Sequence, residues 1–191
     1  MKKIIYSFFL ITLSLIVFAV IYLSTIGLET SKFNNIIIKE IKKKDPNIQL
    51  SLDKIKIKFD LKKIQIYLSA IEPRVIYQDV KIPITEINIH SKISSIIKSQ
   101  NQINQVIVSV KNFKIEDIQK LAVRIKPSNF KTYLLNNLNN GIIEKILIDI
   151  KLDKDLNITE YKVNGSVKKI NVKIFNNLLV QDVNLNFISD K

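Results

Sequence analysis

From Asn47 onward, apolar residues in this chain fall on every second position, segment after segment. Ile55, Ile57 and Phe59 alternate with Lys54, Lys56 and Lys58, and Ile64, Ile66 and Leu68 alternate with Lys63, Gln65 and Tyr67. Val80, Ile82 and Ile84 follow, then Ile87 and Ile89, then Val106, Val108 and Val110. Ile146, Ile148, Ile150 and Leu152 repeat the pattern, as do Ile170, Val172 and Ile174, and finally Val183, Leu185 and Phe187. A period of two sends one set of side chains to one side of an extended strand and the other set to the opposite side. Branched Ile and Val favour that state. The pattern predicts about eight to ten half-buried strands. Asn164-Gly165, between Val163 and Val167, reads as the centre of a two-residue hairpin, because a type I′ turn needs positive φ at both positions. Residues 60–62 and 153–155 read as further turns. Short connections make neighbouring strands antiparallel.

Few helices interrupt this series. Residues 33–44 place Phe33, Ile36, Ile37 and Ile41 at helical spacing, with Thr30 or Ser31 to cap the start and Pro46 to stop it. Such a helix lies on a membrane surface or plugs one end of the domain. Residues 94–98 read as a short helix and 115–121 as a single turn. Residues 129–140 read as a better one, with Phe130, Tyr133, Leu134 and Leu138 on one face and Gly141 at its end. Residues 4–28 stand apart: they hold no charge and no proline and follow Lys2 and Lys3. The run is long enough for a hydrocarbon core of about 30 Å. It exceeds the roughly 7–15 apolar residues of a cleavable signal peptide and lacks a small-residue cleavage site. Residues 1–28 therefore read as an uncleaved anchor and residues 29–191 as one β-sheet domain. The lysines flanking the run, Lys2 and Lys3 before it and Lys32, Lys39, Lys42, Lys43 and Lys44 after it, leave its orientation open, because large domains translocate despite their charge.

The remaining composition excludes more than it assigns. The absence of Cys removes disulfides, thiol catalysis and Cys-ligated zinc. The net charge of +13 comes from lysine, with Arg only at positions 74 and 124. Specific nucleic-acid reading favours arginine, so the lysines read as solvated strand faces, or secondarily as attraction to anionic lipid headgroups. His90 is the only histidine and the three glycines are isolated, which leaves no metal set and no phosphate-cradling loop. The two glycosylation triplets, at Asn157 and Asn164, match by chance in an Asn-rich chain. We read no catalytic constellation and no cofactor. What stands out is a surplus of apolar strand faces over the helices available to cover them. The sheet can close on itself, dock on another chain, or curl into a trough for a hydrophobic ligand. The third solution takes Ile55, Ile57, Phe59, Ile64, Ile66, Leu68, Val106, Val108, Val110, Ile146, Ile148 and Ile150 as its lining.

Several strings resemble the AsmA-like envelope proteins, particularly the YhdP- and TamB-type bridge-like lipid transfer proteins, in their N-terminal portion. Pro83-Ile84-Thr85-Glu86-Ile87 running into Ser94-Ser95-Ile96-Ile97 is similar to a strand and step found there. Residues 106–117, with Asn112-Phe113-Lys114-Ile115, are similar to the strand and turn that follow. Residues 130–141 resemble the family's Trp-Leu helix, with Tyr133-Leu134 standing in that place. Residues 164–187 resemble the next strand pair. The resemblance implies a single-pass protein of the Gram-negative inner membrane with a short cytoplasmic tail and its bulk in the periplasm. It implies a mainly β fold: the membrane helix, a short helix, then a long curled antiparallel sheet with a greasy groove that moves phospholipid toward the outer membrane. The implied partners are phospholipid acyl chains, the inner membrane and other envelope proteins, with no nucleic acid. Family members are usually much longer, which makes this chain a portion or a shortened relative of such a groove. The alternative from another class is a non-enzymatic envelope scaffold or assembly factor, with a closed sandwich or a partner-docking sheet.

Overall fold

The computed structural model describes residues 2–92, 103–124, 128–174 and 178–190. The helix expected at 94–98 lies outside them. The N-terminal helix α1 (Lys2–Thr25) has 24 residues, about 36 Å at 1.5 Å per residue. It is long and apolar enough to cross a membrane, and none of its apolar span is buried against the rest of the chain. The helix stops three residues before the apolar run does. The backbone N–H groups of Ile26 and Gly27 both donate to the Tyr22 carbonyl, at 2.9 and 3.0 Å. Gly27 then takes φ +79°, and a Cβ there would lie 2.8 Å from Lys58 Cγ. Glycine thus both ends the helix and lets the chain pass close to the sheet. Leu28, expected in the anchor, opens strand β1 (Leu28–Thr30), which pairs with β3 (Ile55–Asp60). Glu29 bridges Lys54 and Lys56 at 3.3 and 3.4 Å, which lowers the carboxyl pKa.

The other elements are α2 (Asn34–Lys44), β2 (Ile48–Ser51), β4 (Gln65–Ile71), β5 (Arg74–Tyr77), β6 (Val80–Ile82), β7 (Ile84–Lys92) and β8 (Ile103–Lys114). Then come α3 (Ile115–Arg124), α4 (Asn129–Asn137), β9 (Leu138–Asn139), β10 (Ile142–Leu152), β11 (Ile158–Ile174) and β12 (Leu178–Asp190). The chain is mainly β, as the alternation predicts. Its large sheet runs β1-β3-β4-β7-β8-β10-β11-β12, with β9 beside β11, and a small sheet runs β2-β5-β6. The recorded pairings are antiparallel. Neither sheet is curled or closed, so the large one keeps two edges, β1 and β12.

One end of the large sheet is covered. Ile37 and Ile41 of α2 line one pocket with Ile55, Leu68, Ala70, Ile87 and Ile89, and Leu50 of the small sheet lies beside them. The short helix at 33–44 therefore plugs the domain. Its capping differs from expectation: Phe33 holds the N-cap position with no side-chain bond, while Asp45 closes the helix just before Pro46. Farther along the same end, Ile115, Ile118 and Leu121 of α3 pack with Val110, Phe113, Ile143, Val167 and Ile170. The expected single turn at 115–121 is a full helix of 10 residues. The helix expected at 129–140 stops at Asn137, and Gln119 Nε2 donates to the carbonyls of Leu134 and Leu138, which lie at its end.

The expected hairpin at Asn164-Gly165 does not exist. β11 runs unbroken for 17 residues through both. Gly165 sits opposite Ile146 on one side and Phe187 on the other. A Cβ on it would lie 2.3 Å from the Phe187 ring, so this glycine makes room for an aromatic on the neighbouring strand rather than for a turn. The chain reverses just before β11, at the turn expected at 153–155, where Asp153 Oδ1 accepts from the backbone N–H groups of Asp155 and Asn157, both at 2.9 Å. The turn at 60–62 forms in the same way, with Asp60 Oδ1 accepting from the N–H groups of Lys62 and Lys63. Gly165→Val should destabilise the sheet by about 1–3 kcal/mol through overpacking. Phe187→Ala should restore part of that loss in the double variant, read by denaturant unfolding in detergent micelles. A turn glycine would show no such rescue.

Candidate functional site

Residues directly opposite in antiparallel strands share a face, so the register sorts every strand side chain to one side or the other. One row across the large sheet is Leu28, Ile57, Leu68, Ile89, Val106, Ile150 and Tyr161. The next is Ile55, Ala70, Ile87, Val108, Ile148 and Val163. Ile84, Val110, Ile146, Gly165 and Phe187 form a third, and Phe59 with Ile66 a fourth. Eleven of the twelve residues read from the sequence as a lining therefore share one face. Of these eleven, Ile55 and Val110 are buried and the other nine are half-buried.

Ile64 is the exception. β4 begins at Gln65, and Ile64 lies in the hairpin before it with φ +51° and 67% of its surface exposed. The turn held by Asp60 extends one residue farther than alternation alone indicates. The face also includes residues that the reading passed over. Ile87 and Ile89 carry the same period-two signal as the rest. Tyr161 and Val163 were hidden by the false hairpin, since β11 passes through it.

The opposite face is polar and knitted together. His90 stacks on Tyr67 with ring centroids 4.8 Å apart. Gln105, opposite His90, donates to Asp149 Oδ1 at 2.6 Å and accepts from Lys63 Nζ at 3.2 Å. Ser69, fully buried, donates to Glu86 at 2.9 Å. Among the described residues no cluster of three or more His, Asp or Glu is placed to hold a metal ion. Burial, and next the Lys63 charge, lower the His90 imidazole pKa, against a smaller upward pull from Asp60 and Asp149. The imidazole packs on Tyr67, and its Nδ1 is buried without a hydrogen-bond partner among the described residues. No family model, curated protein or solved structure matches this chain.

The lowered His90 pKa has a definite sign in stability. The folded state takes up its proton less readily than the unfolded chain, whose histidine titrates near 6.5. Stability from this group is complete above that value and is lost as pH falls from it toward the lower folded value. His90→Phe keeps a ring on Tyr67 but has no proton to take up. Between about pH 7 and pH 5 the native chain should lose thermal stability relative to this variant. Parallel profiles would show that His90 is not buried in its neutral form.

Proposed function

We propose that this chain is a membrane-anchored envelope protein that holds phospholipid acyl chains on the uncovered part of its apolar sheet face, and so carries or passes them between inner and outer membrane. The observation that supports this reading is the single face of eleven aligned apolar residues, covered at one end and half-buried along the rest. Fully burying one such side chain is worth about 1.5–3 kcal/mol, so a partly wet row of them calls for a cover. Acyl chains supply one, and α1 places the sheet beside a source of them. Resemblance to the AsmA-like proteins adds the inner membrane, a periplasmic domain and a groove; lipid lying on the face completes the trough that the open sheet begins.

The scaffold reading has one observation in its favour. β12 is an edge of 13 residues without lysine or proline, the residues that commonly blunt an exposed edge. A partner strand can add there.

Two experiments follow. Carbonate washing should leave the full chain in the membrane pellet, whereas a mature form lacking α1 would identify a cleaved signal instead. Photocrosslinkers at Val106 or Ile150 should capture phospholipid, and Ile66→Asp should abolish capture while circular dichroism stays β-rich. Val110→Asp, in the packed end, should instead unfold the domain, because it buries an unpaired charge. Unfolding by Ile66→Asp together with absent crosslinks would favour the partner-docking scaffold.

A further inference from the structure

Among the described residues, two hairpins at the end of the large sheet away from α3 break the usual rule for exposed turns. Ile64, at φ +51°, closes the β3–β4 hairpin, and Leu156, at φ +63°, lies in the β10–β11 connection. The left-handed region suits glycine and asparagine, and a branched side chain there is strained. Leu61 and Ile158 extend the apolar surface of the same two tips. These four side chains are 45–67% exposed, so little of their surface is used within the fold.

The register places the tips beside the end of α1. From the row that holds Leu28, Ile57 and Ile150, β3 continues three residues to Asp60 and β10 two residues to Leu152 before turning. The tips therefore end nearly level. The chain preceding Leu28 runs in the same direction, past Lys58, so the last turn of α1 arrives at the level of the tips. The opposite end of the sheet carries α2, α3 and the small sheet. Lys62 and Lys63 lie within the first tip, Lys63 also donating to Gln105, and the second tip carries Lys154 between Asp153 and Asp155. Exposed apolar tips with charges of both signs beside them match a bilayer interface.

We propose that the two hairpin tips, Leu61 and Ile64 with Leu156 and Ile158, dip into the interface of the bilayer that α1 crosses and hold the open end of the apolar face against the lipid. The inference rests on α1 being a membrane span. An acyl chain then reaches the Ile57–Ile150 row without passing through water.

The chain contains no Trp, so a single introduced one reports its own surroundings. Leu61→Trp and Ile158→Trp probe the tips. Ile16→Trp marks α1, and Val123→Trp, on α3 and 61% exposed, marks the far end. Each full-length variant is reconstituted in phosphatidylcholine–phosphatidylglycerol vesicles brominated at shallow or deep acyl positions. Tryptophan at 61 and 158 should be quenched several-fold more than at 123, most strongly by shallow bromines, while position 16 responds to deep ones. Quenching at 16 with both tips, or either one, at the level of 123 overturns the two-hairpin contact. No quenching at 16 removes the membrane span itself, and the inference with it.

Discussion

The structure depends on one constraint: the strands carry their apolar residues in phase, so pairing them in register creates a continuous greasy face that must be covered. Shifting any strand by one residue would turn its lysines onto that face and its isoleucines into water. The register observed avoids this across six adjacent strands, from β3 to β11. Coverage is the part the chain solves unevenly. α2, α3, α4 and the small sheet gather at one end, where Ile55, Val110, Val167 and Ile170 are buried. Toward the hairpin tips the same face is only half-buried.

The polar face shows why the sheet can stand with one side wet. Ser69 and Gln105 are nearly inaccessible and are hydrogen-bonded to Glu86 and Asp149, whereas His90 is held by a ring stack on Tyr67 and its Nδ1 is buried without a hydrogen-bond partner among the described residues. Buried polar groups tolerate burial when hydrogen-bonded, as Ser69 and Gln105 are. This side is paired only in part, since Gln65 Oε1, Asn88 Oδ1 and Asn164 Oδ1 are also buried without a partner among the described residues, while the apolar side is half-buried toward the hairpin tips.

Much of this was legible in the sequence because alternation is a local signal. The strands at Ile55, Ile66, Val106 and Ile146 needed only side-chain period, and their shared face followed from antiparallel pairing. Where alternation misleads, another contact decides, distant in sequence for Gly165 and Gly27 and local for Ile64. Gly165 looked like a turn because its neighbour is Asn164, but its requirement comes from Phe187, 22 residues on, which packs where a Cβ would be. Ile64 looked like a strand residue because it keeps the alternation, while Asp60 sets the turn around it. Gly27 and Leu28 looked like the end of a membrane helix, yet contact with β3 draws them into the sheet. Which end of the face would be covered had no local signature, because it depends on where α2 and α3 fold back.

The central claim is that phospholipid covers the open half of the apolar face. Its most direct measurement is the phosphorus content of the protein purified from membranes in a phosphorus-free detergent, against a chimera bearing residues 1–28 on an unrelated soluble domain. The account predicts phospholipid retained by the full chain well above the amount carried by the chimera. Equal phosphorus in the two would mean that lipid follows the helix alone, and would contradict it.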